Sequence, residues 1–184
     1  MALVYIGLCL TPMTAHHHAH PQEPAWVHGH PHEPNPAPPS PETAFVVQLP
    51  NGNTVTWDVT DLQKLITTIV PDCYIVSTGH GTSGPFTFAG VRLQDFLVHL
   101  LGHNAPWLMV DVISSDGFGT RLTPADLAQE TAQHPSLLAH TLNGQPLTRE
   151  KGLVRLIVPA ETDDALRQVK WVAQIVIYAA SPNR

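Results

Sequence analysis

Two stretches of this chain carry residue types suited to chemistry. The first is a glycine-rich turn, Thr78-Gly79-His80-Gly81-Thr82-Ser83-Gly84-Pro85, set between the apolar run ending at Ser77 and the run that begins at Phe86. Its three glycines let the backbone come close to a ligand, and successive N–H groups in such a turn can line an anion. The second is Arg155, in Gly152-Leu153-Val154-Arg155-Leu156-Ile157-Val158-Pro159, where its near neighbours are apolar. An unpaired buried charge is costly, so a guanidinium there needs an anionic or carbonyl partner. An internal ion pair, an exposed strand face, or a phosphate or carboxylate ligand matched to the planar fork would each serve. Arg167 and Lys170 follow soon enough to join the same anion site. Asp116, in Ser115-Asp116-Gly117-Phe118, suits a turn cap. Cys73 lies in an apolar run without a basic neighbour and reads as a buried, inert thiol.

The common phosphate cradles fail on spacing. A P-loop needs Lys and Ser/Thr after its last glycine, where Pro85-Phe86 stand. A nucleophile elbow needs G-x-S-x-G, and Gly81-Thr82-Ser83-Gly84 is one residue short. The dinucleotide pattern G-x-G-x-x-G matches formally from Gly79 to Gly84, but the extended Pro85-Phe86-Thr87-Phe88 follows instead of a helix.

Histidines supply a third kind of chemistry. His16, His17, His18, His20, His28, His30 and His32 sit among prolines between residues 16 and 43. Proline removes donors and favours extended chain, so this stretch is expected to be a disordered, semi-rigid tether. Its imidazoles either stand in solvent or hold zinc, copper or nickel loosely. Asp95, His99 and His103 share one helical face, which serves a metal or, more simply, solvent and the negative end of the helix.

Composition narrows the function classes. With 184 residues, 43% of them apolar, the chain suits one domain plus an extension. A net charge of −6 without Lys/Arg clusters argues against sequence-independent nucleic-acid binding, and no apolar run is long enough for a transmembrane span. Residues 1–15 read as a signal or leader with a short apolar stretch but no basic start, which points to export to the periplasm or beyond while leaving a cytoplasmic place open. Residues 16–43 are the linker and 44–184 the folded domain. Cys9 and Cys73 make no disulfide framework.

The elements expected to position these residues are short and mixed. Phe45–Leu49 and Thr54–Val59 form a hairpin about Asn51-Gly52. A helix capped by Thr60 and Gln63 should bury Leu62, Leu65, Ile66 and Ile69 and stop before Pro71. A strand from Cys73 to Ser77 precedes the glycine turn. A helix with Leu93, Phe96, Leu97, Leu100 and Leu101 follows, ending at Gly102. Strands at 107–114, 137–142, 153–158 and 169–178 and a short helix capped by Thr123-Pro124 complete the chain. Without a regular βαβ rhythm, the pattern predicts an α+β fold of mixed sheets with flanking helices.

These pieces, in this order, resemble the molybdopterin-binding domain of the sulfite oxidase family. The resemblance covers about residues 44 to 178. It rests on Phe88-Ala89-Gly90-Val91-Arg92-Leu93 with Phe96-Leu97, Ser114-Ser115-Asp116-Gly117-Phe118, Leu137-Leu138-Ala139 with Asn143-Gly144-Gln145-Pro146-Leu147, Gly152 to Pro159, and Val169-Lys170-Trp171-Val172. It implies a fold cradling one pterin that carries molybdenum, with two-electron redox and oxygen-atom transfer as the reaction. Arg155, Arg167 and Lys170 would face the pterin phosphate, Thr78, Gly79 and His80 would lie over the metal, and Asp116 would lie near the pocket. A redox partner protein would accompany such an enzyme. Family enzymes supply a thiolate from the turn, and here Thr78-Gly79-His80 holds none. The alternative is therefore a non-catalytic module on the same fold, binding a small anion or a protein, with a metal-binding His-rich tail.

Overall fold

The computed structural model describes residues 40–77, 81–161 and 166–180. The leader, most of the His/Pro-rich linker and Thr78, Gly79 and His80 lie outside the described residues. The strands are β1 (Phe45–Gln48), β2 (Thr54–Trp57), β3 (Thr68–Ser77), β4 (Gly81–Arg92), β5 (Trp107–Ser114), β6 (Gly119–Leu122), β7 (Leu137–Leu142), β8 (Gln145–Pro146), β9 (Arg155–Ile157) and β10 (Val172–Ala179). The helices are α1 (Val59–Leu62), α2 (Leu93–Leu101) and α3 (Pro124–Ala128). This is the expected α+β architecture of mixed sheets with flanking helices.

One sheet runs β2-β1-β10-β5-β6, antiparallel except for the β1–β10 pair. The other runs β3-β4-β7-β8, with β9 also paired to β7. The main core joins Phe45, Val47, Val110, Val112 and Ile175 of the first sheet to Val91, Leu138 and Leu156 of the second. Leu93, Phe96 and Leu97 of α2 close it, as their helical spacing requires. Because strand side chains alternate, Leu137, Ala139 and Ile157 fall on the opposite face of the second sheet. There they join Val70, Cys73 and Phe88 in a smaller cluster.

The hairpin forms about Gly52 as expected, with Phe45 opposite Trp57. α3 carries the expected Thr123 cap, strengthened by a reciprocal Asp126 bond. The helix after the hairpin is a correction. It stops at Leu62, and its capping box is Asp58 with Asp61 rather than Thr60 with Gln63. Ile66 and Ile69 are 80% and 67% exposed, and Ile69 belongs to β3. The β-branched run Thr68-Ile69-Val70 pairs with Gly90, Ala89 and Phe88 of β4, and that pairing overrides the helical spacing. β3 then passes through Pro71, with a positive φ at Asp72 and a shift of register. At the other end, β10 starts at Val172, and Val169 forms a separate bridge to Leu156.

β4 and β7 touch most closely at Gly90. A Cβ there would stand 2.2 Å from the Leu138 carbonyl oxygen and 2.6 Å from the Ala139 Cα. Both obstacles are backbone, so no rotamer change can relieve them. Gly90→Ala should therefore lower unfolding stability by about 2 kcal/mol or more, measured by denaturant titration. A variant with unchanged stability would contradict this packing.

Candidate functional site

β9 sets the position of the central cation. Its pairing places Arg155 opposite Ala139 and Leu156 opposite Leu138, so Arg155 emerges on the face of the smaller cluster. On the other edge of β9, Leu156 and Val169 exchange both backbone hydrogen bonds, at 2.8 and 3.0 Å. Gln168 and Lys170 flank Val169 and fall on Arg155's side of that bridge.

The Arg155 guanidinium stands 5.9 Å from the centroid of the Phe88 ring. Part of the side chain reaches the surface, but Nε is enclosed and has no hydrogen-bond partner among the described residues. Burial alone pushes its pKa down to about 10. The Lys170 ammonium lies 3.7 Å above the Trp171 ring. Burial lowers the Lys170 pKa most, and the Arg155 charge lowers it further, against the opposing pull of Asp116 and Glu150. Two cations thus share one small region, and nothing described hydrogen-bonds the Nε of the more central one.

A tight turn supports the pair. Lys151 and Leu153 donate to the Thr148 carbonyl, and Gly152 donates to the Arg149 carbonyl. Gly152 has φ +106, and a Cβ there would lie 2.9 Å from Lys170 Cγ and 3.1 Å from Arg155 Cγ. Only glycine lets the backbone lie against both stems without strain.

Of the residues singled out by the sequence, the structure brings Arg155, Lys170 and Asp116 together. Asp116 Oδ1 accepts from the Phe118 amide at 3.1 Å, which is the turn-capping role its type suggests. Ser115 N bonds the Trp171 carbonyl, tying this turn to the Lys170 region. Arg167 is differently placed. Its backbone N–H and Nε donate to Glu161, and its Nη1 lies 3.5 Å from Asp126. Thr78, Gly79, His80 and the histidines His16, His17, His18, His20, His28, His30 and His32 lie outside the described residues. His99 packs edge-on against Trp57, and no group of three metal-ligating side chains occurs among the described residues.

Gln168 was not singled out by the sequence. It is buried, and neither amide atom has a hydrogen-bond partner among the described residues. Its only signal was the alternation Gln168-Val169-Lys170 around an apolar residue. Cys73 is buried as expected. Its Sγ lies 3.5 Å from the Val70 carbonyl, to which it donates, and burial pushes its pKa up.

The family model of the oxidoreductase molybdopterin binding domain matches residues 39–183. No curated protein matches the chain in sequence. Among solved structures, the sulfane dehydrogenase SoxCD from Paracoccus pantotrophus aligns with a TM-score of 0.57 at 18% identity. The alignment covers 74% of this chain and 38% of that one. At that identity the likeness is one of fold.

Two predictions follow from burial. Arg155→Met removes an enclosed charge and keeps its bulk, so it should raise unfolding stability by about 1–3 kcal/mol, read by denaturant titration. A loss of stability would mean that the guanidinium has a partner within the fold. Elsewhere, His140 is buried with its Nε2 unpartnered, and burial lowers its pKa from 6.5. Below 6.5 the unfolded chain binds a proton that the folded chain refuses, so stability falls with pH until the lowered folded pKa is reached. His140→Gln should flatten that slope relative to the parent chain, and an identical slope in both would refute it.

Proposed function

The chain belongs to the family of the oxidoreductase molybdopterin binding domain, and from that premise we propose that the Arg155–Lys170 site holds the anionic end of a pterin cofactor. The observation that carries this reading is the enclosed Arg155 Nε, which has no partner among the described residues. A buried donor left unmatched costs about 1–3 kcal/mol, and an anion that meets the guanidinium fork recovers it. Three features of the site fit a molybdopterin. Arg155 and Lys170 match a phosphate, Gly152 lets the backbone come close, and the Gln168 amide offers both a donor and an acceptor to a heterocycle edge.

The cofactor, when bound, supplies two-electron redox and oxygen-atom transfer at molybdenum. The chain's own residues do the holding. Arg155 supplies charge and directed donors, and Lys170 adds a second charge from its perch on Trp171. Asp116 and Glu150 keep that lysine's pKa from falling further. Arg167 acts one step out, where its pair with Glu161 fixes the segment leading to Gln168 and Lys170. In the sequence, Thr78-Gly79-His80 falls in the turn from which family enzymes supply a thiolate, so Thr78 or His80 would be the replacement ligand. Export, a redox partner protein and loose zinc, copper or nickel capture by the His-rich tail belong to the same reading as proposals.

A second reading keeps the fold and the anion but not the reaction. It is favoured by Cys73, the one cysteine among the described residues, whose thiol is buried, neutral and turned to backbone carbonyls. Such a module binds a small anion or a protein.

One preparation separates the readings. Protein purified from a molybdenum-replete host should carry molybdenum and pterin, measured by metal analysis and by fluorescence of the oxidised pterin. Arg155→Met should retain at most about a tenth of the pterin, the loss expected for one charge-assisted contact. Pterin without molybdenum supports the binding module. Absence of both from the parent chain overturns the pterin site.

A further inference from the structure

Arg149 directs its guanidinium to three successive main-chain carbonyls. Nη1 donates to the Ser40 oxygen at 2.5 Å and to the Glu42 oxygen at 3.2 Å, and Nη2 donates to the Pro41 oxygen. These contacts span more than a hundred residues of sequence and hold the stretch before β1 across the surface. Ser40, Glu42 and Thr43 of this stretch line a cavity of about 300 Å³ together with Ser115, Gly152 and Trp171.

The backbone of the same arginine faces the anion site. The Arg149 carbonyl accepts from Gly152 N at 3.0 Å and from Trp171 Nε1 at 2.7 Å. Gly152 lies against the stems of Arg155 and Lys170, and Trp171 carries the Lys170 ammonium on its ring. One residue therefore grips the incoming segment with its side chain and the two-cation site with its main chain. The path between the two grips is short, because Gly152 leaves no room for even a Cβ beside the Lys170 and Arg155 stems.

We infer that Arg149 is a positioning residue, whose hold on residues 40–44 forms a strap over the cavity beside the Arg155–Lys170 site, so that strap closure and anion binding favour each other. This rests on the anion-site reading above. An anion that fixes the two cations steadies Gly152 and Trp171, and with them the Arg149 carbonyl. A steadier Arg149 backbone holds its guanidinium on the strap. Coupling of this kind is reciprocal: a closed strap slows loss of the anion, and a bound anion slows opening of the strap. An anchor that merely fixed the start of β1 would hold the segment equally with and without the anion.

The test uses the full chain, made in a host without molybdopterin, with inorganic pyrophosphate as the probe. Glu42 is exposed, so a glutamate-specific protease reports strap opening at the Glu42–Thr43 bond, followed by mass spectrometry. Saturating pyrophosphate should slow that cleavage at least about fivefold, the low end of ordinary coupling. Arg149→Ala should cleave faster than the parent chain and lose the pyrophosphate effect while calorimetry still detects binding. Arg149→Lys keeps the charge without the fork and should also lose the effect, which preserves the test if the alanine variant does not fold. Pyrophosphate binding without protection in the parent chain overturns the strap and leaves the anion site standing. Protection that survives both substitutions overturns the role of Arg149. No pyrophosphate binding at all removes the anion site and the strap with it.

Discussion

The contact on which the rest of the site depends is the approach of β4 to β7 at Gly90. The two backbones come within a distance that excludes even a methyl group. That approach sets the β4–β7 register, which shifts between Ala89 and Gly90. β7 in turn carries β9, and β9 carries Arg155. The register therefore decides that the Arg155 guanidinium meets the Phe88 ring and points away from the main core. A one-residue slip of β9 would turn Arg155 into the Leu138–Leu156 layer, where no charge could be tolerated.

The fold treats two of its strand-borne arginines, Arg121 and Arg155, in opposite ways. Arg121 on β6 meets Asp111 on β5 through two short bonds, Nε at 2.6 Å and Nη2 at 2.8 Å. Tyr178 on β10 donates to the same carboxylate at 3.0 Å. That trio spans three adjacent strands and meets the needs of its members within the fold. Arg155, on the other sheet, has an aromatic face, a second cation and an Nε with no partner among the described residues. The chain can satisfy a buried guanidinium when structure alone is at stake. Leaving one unsatisfied is the arrangement expected of a group whose partner comes from outside.

Much of this was legible because the informative residues are chemically out of place. Arg155 stands out in an apolar strand, and its partner Lys170 follows within the same short region. Asn51-Gly52, Thr123-Pro124 and the spacing of Leu93, Phe96 and Leu97 each specify a local geometry that long-range contacts do not overturn. The stretch from Leu62 to Ile69 misled for the opposite reason. Its apolar spacing fits a helix, but β3 needs Ile69 and Val70 to pair with β4, and edge-strand pairing leaves their neighbours exposed. Gln168 was invisible because glutamine in a polar segment is ordinary. Only the Leu156–Val169 bridge, a contact between distant residues, places it beside Arg155.

Holding an anion and ligating a soft metal are separable demands, and the described residues are suited to them unequally. A phosphate is held by charge and directed donors, which Arg155, Lys170 and the Gly152 turn offer. A cysteine ligates a soft metal as its thiolate, and the buried position of Cys73 raises its pKa and commits its proton to the Val70 carbonyl. Bringing that thiol to a metal would cost both the hydrogen bond and the packing of the smaller cluster around Phe88 and Leu137.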